Sequence, residues 1–130
     1  MDRTGARAAA MKLLYEWEMG GEGGEDTRLG MLDIQPDENE ADYMDALVEG
    51  VRAHAAELDA LVSKYAVGWR LERINRVDLS ILRVAIYEIS FEKLAPAVAV
   101  NEALELARTY STPEAVSFIN GVLGSLLRGL

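Results

Sequence analysis

Residues 75–91, NRVDLSILRVAIYEISF, are apolar almost all the way round a helix. A helix without a polar face is stable only when other elements cover every side, which puts it at the centre of a bundle. The flanking segments have the period to supply that cover. Near the N-terminus Ala6, Ala10, Leu13, Leu14 and Trp17 recur at spacings of three and four, with Thr4 as a suitable N-cap. From about 37 to 65, Met44, Val51, Leu58 and Tyr65 stand seven apart, and Leu47, Val48, Ala55, Leu61 and Val62 fill the same side. Gly50 is a candidate bend in that stretch. Residues 69–74 read as a short connecting turn of helix. Pro96 marks a break before a helix over 98–110. Ser111, Thr112, Pro113 and Glu114 form a helix-start signature, in which either hydroxyl can cap and Ser111 with Glu114 has capping-box spacing. The last helix carries Ala115, Ile119, Val122 and Leu126 on one face. No period-two strand pattern competes. The expected fold is all-α, a compact bundle of six or seven helices, in one domain over residues 1–130 with an acidic, glycine-rich loop near 20–36.

Charge is unevenly placed. The net charge of −9 resides entirely in residues 21–50, which hold ten acids and one arginine, while the remainder is neutral overall. An acidic total argues against indiscriminate nucleic-acid binding, which rests on neutralising phosphates, but leaves room for a local basic site. The loop part of that segment is expected to be mobile and to repel RNA. The chain contains no cysteine, which excludes a disulfide scaffold, a thiolate metal site and a cysteine nucleophile. Its longest uncharged stretch, 115–127, is shorter than the roughly 20 residues that a membrane-spanning helix needs. With no signal-peptide pattern at the N-terminus, a cytoplasmic protein is expected.

Patterns that carry chemistry are scarce. His54 is the single histidine, and with Glu57 it offers one ligand pair where a di-metal bundle needs several. No GxSxG, Walker A or GxGxxG motif occurs, so no catalytic residue, cofactor or metal is expected. Asp78, Glu88, Glu102 and Glu105 interrupt apolar helices; pairing with arginines such as Arg83 and Arg108 accounts for them better than acid–base work. The basic residues of the first helix are more suggestive. Arg3, Arg7 and Lys12 lie where the amides of a helix start already favour anions, a candidate phosphate site. Tyr15, Trp17, Tyr110 and Phe118 are aromatics able to stack on bases, although Trp17 and Phe118 also sit at core spacing.

Three segments, in order, carry a resemblance: ARAAAMKLLYEW, WRLERINRVDLSILRVAIYEI and VAVNEALELARTYSTPEAVSFINGVL. Together they are similar to the NusB family of bacterial transcription antitermination factors over nearly the whole chain. The resemblance implies two small packed helical subdomains and no enzymatic activity. It also implies binding to the boxA segment of nascent RNA together with NusE, a small-subunit ribosomal protein, and joining of the pair to elongating RNA polymerase, notably in ribosomal RNA operons. Carried over by position, Arg3, Arg7, Tyr15, Tyr110 and Phe118 are the implied RNA contacts, to which Lys12 is added from its place on the same helix, and Tyr15 and Asp78 the implied contacts with the protein partner. The sequence departs from the family pattern where Thr4, Gly5 and Ala6 separate two arginines, where Ser117 replaces a basic residue, and where Gly124 replaces an aspartate. The alternative that these departures favour is a protein-interaction adaptor with little RNA binding of its own.

Overall fold

Asp2 rather than Thr4 opens the first helix of the computed structural model, in which residues 2–20 and 38–129 are described. Asp2 holds the extended backbone of an N-cap, and its carboxylate accepts from the Gly5 amide at 2.8 Å. Thr4 is already helical, so its hydroxyl is free to reach another element and donates to Glu102. Helix α1 (Arg3–Glu18) is followed, beyond the undescribed stretch, by α2 (Glu38–Ala53) and α3 (Ala55–Tyr65). The acidic loop expected near 20–36 falls, apart from Gly20, outside the described residues.

The expected bend at Gly50 is found instead at His54, where the backbone leaves the helical region. Gly50 stays within α2 and has a packing role. A Cβ placed there would stand 2.2 Å from Cζ of Tyr87, so only a hydrogen fits between the helix and that ring. A 3₁₀ turn (Leu71–Arg73) then leads to α4 (Arg76–Ser90), capped by the Asn75 side chain, which accepts from the Val77 amide at 2.8 Å. Pro96 does more than mark a break: it occupies the first turn of α5 (Pro96–Tyr110), where a missing N–H costs nothing. Of the two hydroxyls before α6 (Pro113–Gly129), Thr112 caps, accepting from the Ala115 amide at 3.1 Å. Ser111 instead donates to Asp78 at 2.7 Å, so the capping box is not used.

Helix α4 is the axle. Every residue from Asp78 to Ile89 is buried, and the helix packs against each of the other five α-helices among the described residues. Helices α1 and α2 pair on one side, α5 and α6 on the other, and α3 lies against α4 and α6. The buried apolar side chains join in one cluster around α4.

Covering a helix on all sides also buries its charges, and each has been given a partner. The Arg7 guanidinium donates to Glu88 at 2.9 Å and lies 3.6 Å from Glu102; the Tyr43 hydroxyl donates to the other Glu88 oxygen. Arg83 forms a two-pronged pair with Asp59, both contacts at 2.8 Å, and donates to Glu18 at 2.8 Å. Glu18 also takes Arg76 at 2.7 Å. The expected arginine partners are therefore partly exchanged. Glu105 does pair with Arg108, but Glu88 takes Arg7 and Arg83 turns to Asp59 and Glu18. Burial alone would lower the pKa of Arg7, yet the hydrogen bond and charge of Glu88 outweigh it and hold that pKa above its ordinary value.

Candidate nucleic-acid interface

Helix geometry separates the basic residues of α1. At 3.6 residues per turn, nine positions carry Lys12 half-way round the axis from Arg3. Arg3 lies on the α2 side, its guanidinium 3.9 Å from the centroid of the Tyr43 ring and its Nε 3.7 Å from Glu40. Arg7 is only 6% exposed and committed to Glu88, so it does not offer its guanidinium to solvent as the sequence reading expects. Lys12 lies on the α5 side, with its ammonium 4.5 Å from the centroid of Tyr110. Tyr15, one turn further along that face, and Tyr110 are both exposed.

The turn between α5 and α6 extends this surface. Tyr110 ends α5, and the next residue, Ser111, is bonded to Asp78 in the first turn of α4. Asp78 is buried, which pushes its pKa up, and the Ser111 hydroxyl partly offsets that rise. Asp78 also lines a cleft of about 230 Å³ shared with Trp69, Arg73, Asn75, Thr112 and Phe118. Phe118 is partly buried and its ring centroid lies 5.2 Å from that of Trp69. Lys12, Tyr110, Asp78 and Phe118 are thus linked by contacts or a shared cleft, with Tyr15 beside Lys12 on its helix face. Arg3 is apart and Arg7 is inside.

Trp69 and Arg73, which line the cleft, belong to the segment that the sequence reads as a connecting turn. His54 makes a local pair, its Nδ1 3.0 Å from Glu57, and its ring stacks on Phe91 at 4.1 Å between centroids. No group of three or more potential metal ligands is assembled among the described residues, and no described helix is long and apolar enough to cross a membrane.

The described residues form an all-helical bundle around a buried axle, with Lys12 and the exposed Tyr15 and Tyr110 along one rim. Residues 4–128 match the NusB family, and the chain belongs to it. The transcription antitermination protein NusB of Acetivibrio thermocellus is 42% identical over 98% of this chain and 90% of its own length. That of Symbiobacterium thermophilum is 41% identical over 100% of this chain and 92% of its own. Among solved structures, NusB of T. maritima superposes with a TM-score of 0.86 at 30% identity, covering 98% of this chain and 92% of that one. A complex of the antitermination factors NusB and NusE with double-stranded RNA gives a TM-score of 0.86 at 26% identity, over 98% of this chain and 97% of that one. The family is one of transcription antitermination factors that bind RNA, not of enzymes.

Proposed function

We propose that this chain binds boxA RNA of nascent ribosomal RNA transcripts together with NusE, and that the pair joins elongating RNA polymerase to carry it through terminators. The observation that carries this reading is the near-complete superposition on a NusB chain solved with NusE and RNA. In this reading Lys12, Tyr15, Tyr110 and Phe118 meet RNA along one rim, with Arg3 adding a phosphate contact from the α2 side. Arg7 acts from within, fixing the first helix to α4. Tyr15 and Asp78 face the protein partner.

With Arg7 engaged by Glu88, few cations remain for phosphate, and a net charge of −9 supplies little long-range attraction. That observation favours, as a second reading, a protein-interaction adaptor with little RNA binding of its own. Both are tested by titrating boxA RNA with and without NusE at matched salt. RNA affinity is expected to rise at least about tenfold with NusE, a coupling of ~1.4 kcal/mol, and RNA must tighten the protein pairing by the same factor. Equal affinity in both titrations would overturn the cooperative reading. No RNA binding in either would leave only the protein adaptor.

A further inference from the structure

We propose that the cleft between Trp69 and Phe118 holds one unstacked base of single-stranded RNA, with Arg73 and Arg70 taking the adjoining phosphates. The proposal rests on the RNA-binding reading above and extends the RNA path to residues that the family resemblance did not supply.

Three observations meet there. The first is the aromatic wall. Trp69 is 53% exposed, lines the cleft and is tilted by 59° against Phe118, so much of its indole is open to solvent beside the cleft. Exposed indole beside a cleft is the usual form of a base platform, because every nucleobase has a π-face to lay on it.

The second is the disposition of charge. Several cations of the described residues are already engaged: Arg7, Arg76, Arg83 and Arg108 with carboxylates, and Arg52 and Lys64 over aromatic rings. Arg70 and Arg73 are exposed and are paired with no carboxylate among the described residues. Both stand in the segment that carries Trp69, and Arg73 lines the cleft.

The third is polarity within. Asp78 and Glu114 line the cleft and would repel a phosphate drawn inside, so the RNA backbone is kept to the arginine side and only the base enters. Stacking makes no demand on the edge of the base, so the site accepts any base.

The chain has two tryptophans, which makes the test direct. In W17F, Trp69 is the remaining indole, and titration with a boxA oligoribonucleotide should quench its fluorescence along the same curve as total binding. W69A should weaken RNA binding roughly tenfold or more, W69F should restore most of it, and R73A should lower the log–log salt slope by about 0.7. Should W17F not fold, the quenching lost between the parent and W69F serves as the same readout. RNA bound at parental affinity by W69A, or bound without quenching, overturns the cleft assignment while the RNA-binding reading stands. A W69A variant that keeps its RNA affinity but loses NusE would make the cleft a protein socket and overturn the proposal. A parent chain that binds no RNA with or without NusE would sink both readings together.

Discussion

Arg7 and Glu88 are 81 positions apart in the sequence and 2.9 Å apart in the fold. Removing one partner of such a pair strands the other charge in the interior, which typically costs about 3–5 kcal/mol, whereas replacing both with apolar residues costs far less. Arg7→Ala is therefore expected to lower stability by about that amount, and Arg7→Met combined with Glu88→Leu to recover much of it; urea denaturation of the three chains measures both. The Tyr43 hydroxyl belongs to the same cluster. Burial first, then its bond to the Glu88 carboxylate, pushes its pKa from 10.0 up to about 12. A pKa raised in the folded state stabilises below the unfolded value and ceases to do so as pH climbs through the folded one. Stability should thus fall between about pH 10 and pH 12, and Tyr43→Phe should flatten that limb of the curve. An unchanged alkaline limb in the variant would show that other groups set it.

Elements in this fold are set as much by close approach as by propensity, and two glycines separate the effects. Gly50 in α2 and Gly121 in α6 both sit inside helices, where alanine is intrinsically better by roughly 0.5–1 kcal/mol. At Gly50 a methyl group would press into the Tyr87 ring, and Tyr87 also donates to Glu92 at 2.9 Å. Gly50→Ala is expected to destabilise by about 1–3 kcal/mol through overpacking. At Gly121 nothing stands within 4 Å, and Gly121→Ala is expected to stabilise by about 0.5–1 kcal/mol. Thermal melts of the two variants should move in opposite directions. Equal shifts would mean that helix propensity alone governs both sites.

At the scale of the molecule, Glu18 ties three helices: its own α1, α4 through Arg76 and Arg83, and α3 through the shared Arg83–Asp59 pair. Burial works to raise its pKa, but the hydrogen bonds from Arg83 and Arg76 outweigh that and hold it below the ordinary 4.5. A depressed carboxylate stabilises fully above its unfolded pKa and is lost as pH falls through the folded value. Acid should therefore loosen the molecule below about pH 4.5, and Glu18→Gln should remove part of that dependence in an acid titration followed by circular dichroism. How these ties form also divides what could be read in advance from what could not. The all-α class, the buried axle at 76–90 and the start of α6 were legible because apolar period and capping chemistry act between residues a turn apart. The Asp2 cap was missed in favour of Thr4 because both residue types cap, and only the backbone decides which one lies outside the helix. The bend at His54 rather than Gly50 was missed because Gly50 answers to a ring 37 positions away. Lys12 and Tyr110 were named as site residues without any sign that they touch. An arginine on a helix start looks alike in sequence whether it meets solvent or a buried carboxylate, and Arg7 meets Glu88. Local sequence determined the helices and their apolar faces, since these depend on neighbours within a few residues. The pairing of charges, and with it which arginines keep their guanidinium in solvent, was decided only when packing around α4 removed water from some of them and not from others.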